Sequence, residues 1–226
     1  MDLKGYAIVS DFDGTITLED SNDLLFQMYG NEVNVKIEDD FKAGILGTCP
    51  AMIMHFENLN LTMEKYYDFL KQHINIDLGF DPLLQWVHKQ NIPFFIVSAG
   101  FRQGIEYILG QERLNGVQVF ANDLHVNDES KLIYPVFAEE PDCETSYGPC
   151  GNCKRACVKA IRQQTQRNVI FLGDGLTDRC AYLEADLTFA KADSALEQYC
   201  STQAGLPYTL FNGYEDILTH LQNLIN

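Results

Sequence analysis

The stretch "YAIVSDFDGT", residues 6–15, decides the fold. Tyr6-Ala7-Ile8-Val9 is short and nearly all apolar, as a strand buried on both faces must be. It runs straight into Asp11 and Asp13, and Gly14 and Thr15 then turn the chain. Two carboxylates at i and i+2 in extended backbone point the same way. At a strand's end both therefore face one crevice, and they repel each other unless a cation lies beside them. An Asp-Gly pair is also a common turn signal, so the stretch by itself admits a solvated turn as readily as a site.

The rest of the chain repeats the pattern. Ile92 to Val97 ("IPFFIV") reads as a second buried strand, with Pro93 only at its start, where it is tolerated. Val169 to Leu172 ("VIFL") reads as a third and Leu187-Thr188-Phe189 as a short fourth. Helical patterns follow at Gly104 to Leu109 and Thr177 to Leu183. Short apolar strands alternating with helices predict an α/β fold, a Rossmann-like three-layer core around a parallel sheet. In such a sheet the site lies beyond the carboxyl ends of the strands. The residues following the second and third strands suit that place. "SAG" supplies Ser98, Ala99 and Gly100, and "GDGLTD" supplies Asp174 and Asp178; Lys154 begins a helix before the third strand. Hard carboxylate oxygens suit Mg²⁺, which keeps several waters and binds alongside phosphate.

Between Thr17 and about Phe80 no strand pattern appears. Leu24, Leu25 and Met28, then Ile45, Met52 and Phe56, then Tyr66, Phe69 and Leu70 recur at helical spacing. The segment is too long for a loop in a compact domain. It is expected to be a helical cap, residues 18–79, inserted into a core made of residues 1–17 and 80–226, with hinges near Thr17-Leu18 and Gly79-Phe80. Val117 to Val136 alternates with turn signals at its centre and reads as a β-hairpin excursion. Pro141 to Gly151 reads as a Cys-, Gly- and Pro-rich loop.

Composition limits the functions. The chain of 226 residues carries 32 acidic against 16 basic side chains, a formal net charge of −16. Such a surface repels nucleic acid and anionic membranes. An anionic substrate must be caught by local cations, a metal or backbone amides. No apolar run approaches a membrane span. Seven cysteines without a signal-peptide pattern read as reduced thiols of a cytoplasmic protein.

"DFDGT", "SAG", Lys154 and "GDGLTD", in this order, resemble the four motifs of the haloacid dehalogenase superfamily. The helical insertion resembles the C1 cap of its phosphoserine phosphatase branch. "CGNCK" before the helix is similar to the methionine-salvage phosphatases acting on 2-hydroxy-3-keto-5-methylthiopentenyl-1-phosphate, and phosphocholine/phosphoethanolamine phosphatases also carry a cysteine near that lysine. The resemblance implies Mg²⁺-dependent hydrolysis of a small phosphorylated metabolite through an aspartyl-phosphate. Asp11 would be the nucleophile and Asp13 the general acid and base. Mg²⁺ would be held by Asp11, the Asp13 carbonyl and Asp174, with Asp178 acting through a metal water or orienting Lys154. Ser98, Gly100 and Lys154 would hold phosphate oxygens, and Thr15 would bond the phosphate or the Asp11 carboxylate. A phosphomutase and a non-catalytic phosphate sensor are the rival readings. Two departures stand against phosphoserine: Thr177 occupies a position where that branch usually has Asn, and the cap contains no arginine to meet a substrate carboxylate.

The remaining residues have plainer readings beside functional ones. Asp20 and Asp23 fit solvated acids at a helix start, or contacts to the substrate. Phe41, Met52, Met54 and Phe56 fit the cap's own core, or an apolar substrate pocket. His55, His73, His88, His125 and His220 belong to no motif. Cys143, Cys150, Cys153 and Cys157, spaced C-x6-C-x2-C-x3-C, would either bind zinc or remain free thiols.

Overall fold

The structure is a computed structural model that describes residues 2–137 and 148–225. The strands are β1 Tyr6–Ser10, β2 Phe94–Phe101, β3 Val117–Val126, β4 Ile133–Val136, β5 Asn168–Gly173, β6 Leu187–Lys191 and β7 Thr209–Phe211. The helices are α1 Ser21–Tyr29, α2 Glu32–Lys42, α3 Thr48–Leu59, α4 Met63–His73, α5 Phe80–Lys89, α6 Arg102–Leu114, α7 Lys154–Thr165, α8 Arg179–Tyr182, α9 Ala195–Thr202 and α10 Tyr214–Ile225.

The strands form one sheet in the order β4-β3-β2-β1-β5-β6-β7. Every neighbouring pair is parallel except β3 with β4. The order reverses between β1 and β5, and a crevice opens at such a point beyond the strands' carboxyl ends. Side-chain alternation divides the core into two layers. Ile8, Phe94, Ile96, Ile170 and Leu172 face α5, α6 and α10. Ala7, Val9, Phe95, Val97, Val169 and Phe171 face α7, α8 and α9. Both faces are covered, so the strands need continuous apolar runs; each large buried side chain contributes roughly 1.5–3 kcal/mol.

Helices α1–α4 lie between β1 and β2 and have their own core of Leu25, Phe26, Phe56, Leu61, Tyr66, Phe69 and Leu70. That core is shared with Phe101, Leu124 and Ile133 of the sheet. The chain leaves and re-enters side by side: Thr17 bridges Ile76, and Leu18 N–H donates to Asn75 O at 2.9 Å. Of the apolar residues read at helical spacing, Met28 in α1 is exposed, and Ile45 is exposed in the turn between α2 and α3.

Several elements differ from expectation. The strand at Ile92–Val97 extends through Ser98-Ala99-Gly100 to Phe101, with a register irregularity between Val97 and Phe101. "SAG" is thus part of β2, in its bulged end, rather than a loop beyond it. The 117–136 hairpin is no excursion, because β3 pairs parallel with β2 and extends the main sheet. The helix expected at Thr177–Leu183 is a single 3₁₀ turn, Leu176–Asp178, followed by the short α8. Of the loop read at Pro141–Gly151, residues 141–147 lie outside the described residues, and Cys143 with them. Among the described residues, no helix is long and apolar enough to cross a membrane.

Candidate active site

The two aspartates of the opening stretch leave β1 into the crevice beside β5, and both are buried. Asp11 Oδ1 accepts the Phe12 N–H at 2.7 Å, and its Oδ2 lies 2.7 Å from Lys154 Nζ. Ser10 Oγ donates to the Asp11 carbonyl at 2.7 Å and is also bonded to the Tyr214 hydroxyl, fixing the strand end from below. Asp13 Oδ1 accepts from the Ser21 N–H at 3.1 Å and from the Ser21 hydroxyl, at the start of α1.

Lys154 is the first residue of α7, and it is 3% exposed. Its ammonium lies 2.5 Å from Asp178 Oδ1 as well as 2.7 Å from Asp11. Burial alone disfavours that charge, but Asp11 and Asp178 outweigh it and hold the ammonium well above its ordinary pKa. Asp178 is saturated: its Oδ2 accepts the N–H groups of Asp174 at 2.9 Å and Gly175 at 2.7 Å. That arrangement orients Lys154 and shapes the turn after β5.

Thr15 does not reach Asp11. Gly14, at φ +71°, turns the chain so that the Thr15 hydroxyl donates to Asp174 Oδ1 at 2.5 Å. A Cβ on Gly14 would run into Asp174 Oδ2. At the end of β2, Ser98 Oγ accepts the Gly100 N–H at 2.9 Å, and its hydroxyl bonds the Asp13 carboxylate. A Cβ on Gly100 would lie 2.5 Å from Asp13 Oδ2 and 3.1 Å from Ser98 Oγ, so only glycine lets the two strand ends approach this closely.

Asp11, Asp174 and Asp178 present oxygens within 4.8 Å of one another. Burial, then the charge of Asp178, pushes the Asp11 carboxyl well above its usual range, against the pull of Lys154. The same two causes raise Asp174 to about 7. Burial also raises Asp13, while its bonds from Ser21 work the other way. Hard oxygens crowded with too little positive charge suit a divalent cation such as Mg²⁺. Among the described residues this is the one cluster of three or more metal-ligating side chains. Among the described residues Cys150, Cys153 and Cys157 assemble no such cluster, and Cys143 lies outside those residues.

A cavity of about 320 Å³ runs from these residues to the inserted helices, where it is lined by Asp20, Asp23, Glu38, Phe41, Lys42 and Met52 among others. Asp20 is the N-cap of α1, accepting the N–H groups of Asn22 at 2.9 Å and Asp23 at 3.0 Å, and it lines the cavity as well. Of the four apolar candidates, Phe41 and Met52 line the cavity, Met54 is exposed and Phe56 belongs to the cap core.

Three contributors carry no sequence signal. Lys191 at the end of β6 donates to the Gly14 carbonyl at 2.5 Å. Asn152 Nδ2 donates to the Ser98 and Phe120 carbonyls, each at 2.9 Å. Asn122 Nδ2 donates to Ala99 O at 2.8 Å and Cys150 O at 3.1 Å.

Comparison with known proteins bears on the family and the fold. The model of the haloacid dehalogenase-like hydrolase family matches residues 8–182. Polyol phosphate phosphatase PYP1 of Saccharomyces cerevisiae is 29% identical over 231 aligned positions, covering 96% of this chain and 93% of that protein. A 2-hydroxy-3-keto-5-methylthiopentenyl-1-phosphate phosphatase of Bacillus mycoides is 25% identical over 219 positions, 96% of each chain. Among solved structures, a phospho-aspartyl intermediate analogue of phosphoserine phosphatase superposes with a TM-score of 0.72 over 95% of this chain and 97% of that one. At 21% identity that likeness is one of fold.

Proposed function

The chain belongs to the haloacid dehalogenase-like hydrolase family, and from that premise we propose that it is a Mg²⁺-dependent phosphatase of small phosphomonoesters working through an aspartyl-phosphate. The observation that carries the reading is the charge relay across the strand ends. Lys154 lies between the buried Asp11 and Asp178, with Asp174, Ser98 and Gly100 around the same crevice.

Phosphoryl transfer asks the protein mainly for positioning and charge neutralisation. Asp11 has one oxygen held by the Phe12 amide and the other by Lys154, which aims the carboxylate, and the Lys154 charge opposes the upward push of burial on its carboxyl. An Asp11 oxygen attacks phosphorus as the bond to the leaving alcohol breaks, and Asp13 gives that alcohol its proton. The upward shift of Asp13 by burial suits it to carry one. Asp13 then takes a proton from water, which attacks the same phosphorus and frees Asp11. The Ser98 hydroxyl, the amides at the bulged end of β2 and Lys154 neutralise the phosphoryl oxygens. Asp11 and Asp174, with the Asp13 carbonyl, would hold Mg²⁺, which would supply further charge neutralisation there. Helices α1–α4, residues 18–79 with their connections, serve as the cap that supplies leaving-group selectivity.

The test is hydrolysis of p-nitrophenyl phosphate. Activity should require Mg²⁺ and vanish with EDTA. Asp11→Asn, which removes the nucleophile at nearly constant volume, should lower kcat by several orders of magnitude with Tm retained. Near-native turnover in that variant, or in metal-free protein, would sink the reading.

A further inference from the structure

We propose that the cap end of this cavity reads a neutral leaving group bearing hydroxyls, that Glu38 and Asp23 are its specificity-determining residues, and that the buried His55 positions Glu38. The proposal rests on the phosphatase reading above and deepens it.

The first observation is a histidine whose neutral tautomer follows from its neighbours. Asn31 N–H donates to Asn34 Oδ1 at 3.1 Å, which fixes the orientation of the Asn34 amide. Its Nδ2 therefore faces His55, donating to the ring Nδ1 at 3.0 Å and to the His55 carbonyl at 3.3 Å. Nδ1 is an acceptor, so a neutral ring carries its proton on Nε2. The ring is 1% exposed and stacks on Phe26 with centroids 3.8 Å apart. Its Nε2 has no hydrogen-bond partner, and Glu38 Oε2 lies 3.8 Å away. A buried donor without an acceptor is costly. A shift of about 1 Å by the Glu38 carboxylate would bring it into bonding range. Glu38 Oε1 is held from the other side by Lys42 Nζ at 3.0 Å. His55 thus stands behind a cavity-lining carboxylate, ready to fix it once that carboxylate engages a ligand.

The second observation is the mixture of partners on this wall. Asp23 and Glu38 offer acceptors, and Lys42 offers donors. Asn22 also lines the cavity; it is 5% exposed, and its Oδ1 has no hydrogen-bond partner. A hydroxyl both donates and accepts, so it satisfies both kinds of partner. A carboxylate on the leaving group would satisfy Lys42 and be repelled by Asp23 and Glu38. An ammonium would satisfy the carboxylates and be repelled by Lys42. Several hydroxyls spread along a short chain match acceptors that come from two different helices, α1 and α2, and a single charge does not.

The experiment compares kcat/KM of the Mg²⁺-loaded protein for propyl phosphate, glycerol 1-phosphate, phosphoethanolamine, 3-phosphoglycerate and p-nitrophenyl phosphate. Glycerol 1-phosphate should exceed propyl phosphate at least tenfold, and the two charged esters should fall below it. In Glu38→Leu, at a position whose side chain is 23% exposed, the ratio of glycerol 1-phosphate to propyl phosphate should collapse toward one. In His55→Leu it should fall through KM more than kcat, and His55→Gln, which keeps a donor near the Nε2 position, should restore most of it. If His55→Leu does not fold, the Glu38→Leu and His55→Gln ratios decide. A wild-type ratio near one, a preference for phosphoethanolamine or 3-phosphoglycerate, or a ratio unmoved by Glu38→Leu overturns the proposal while p-nitrophenyl phosphate turnover leaves the phosphatase standing. No turnover of any ester overturns the phosphatase itself, and the proposal with it.

Discussion

Asp23 shows how a single residue is set by its surroundings. Burial first, and then the nearby Glu38, raise its carboxyl from the usual range to about 6, although Lys42 pulls it down. The unfolded chain would titrate it near 3.9. Between about pH 4 and pH 6 the folded state therefore binds the extra proton. The stability that goes with it is fully present below about pH 4 and is lost as pH rises through 6. A shift of this size corresponds to a cost on the order of 2–3 kcal/mol at neutral pH. The acids around it add to the effect, since Asp23 in turn helps to raise Asp20. Asp23→Asn should therefore be more stable than the parent at pH 7.5, with the Tm gap narrowing toward pH 4. Thermal denaturation at a series of pH values measures this, and a gap that is constant or widens toward acid would contradict it. A charge that weakens the fold at neutral pH is best understood as serving the cavity it lines.

At the scale of elements, the sheet's carboxyl edge is tied together by side chains from the run that starts α7. Asn152 precedes Lys154 by two residues, donates to the Ser98 and Phe120 carbonyls, and accepts from the Cys157 thiol at 3.2 Å. It thereby locks the bulged end of β2 to β3 and to the lysine-bearing helix. Asn152→Leu keeps the volume but leaves two carbonyls without their donor, a cost of about 1–3 kcal/mol for each buried orphan. The loss should also appear in catalysis, as a fall of at least tenfold in kcat/KM for p-nitrophenyl phosphate with KM rising. Lowered Tm with unchanged kcat/KM would make the residue merely structural. None of this linkage was legible in the sequence, because an asparagine in a loop carries no pattern. β1, β2 and β5 were legible because strands covered on both faces must be apolar throughout, and Asp11, Asp13 and Asp174 because they follow those runs, whereas Lys154 stood out as the start of the helix before β5. The bulge that draws Ser98–Gly100 into β2 was not legible, since it depends on the register against β3. The bond from Thr15 to Asp174 was not legible because the two lie 159 residues apart. β7, three residues at the sheet edge, is too short to show a period.

For the whole molecule the question is how a substrate enters under the cap. The sequence suggested a cap swinging as one body about Thr17-Leu18 and Gly79-Phe80. The structure ties α3 and α4 to the sheet at many points. Ile133 N–H donates to Leu61 O at 2.8 Å, Thr62 bridges Leu132, and Cys49 N–H donates to Pro149 O at 3.0 Å. Phe56 packs edge-on against Phe101, with centroids 5.3 Å apart. A Cβ on Gly104 of α6 would come within 2.5 Å of the Tyr66 hydroxyl, so α4 and α6 already touch. Gly79, at the second expected hinge, is backed directly by the Tyr214–Glu215 backbone. Swinging the whole cap would expose the apolar core it shares with β2, β3 and β4, at a cost of roughly 1.5–3 kcal/mol for each large side chain. α2 is different. It buries only Asn34 and Ile37, leaves Val33 and Val35 exposed, and carries Glu38 and Lys42 into the cavity. Elements with few buried apolar contacts open first, so α2 is the natural door and α3–α4 the fixed frame. Hydrogen exchange should show the α2 amides exchanging faster than those of α3 and α4 in the free protein. Adding Mg²⁺ with BeF₃⁻ and glycerol should slow α2 selectively. Uniform protection gained across all four helices would restore the rigid-cap picture and remove α2 as the door.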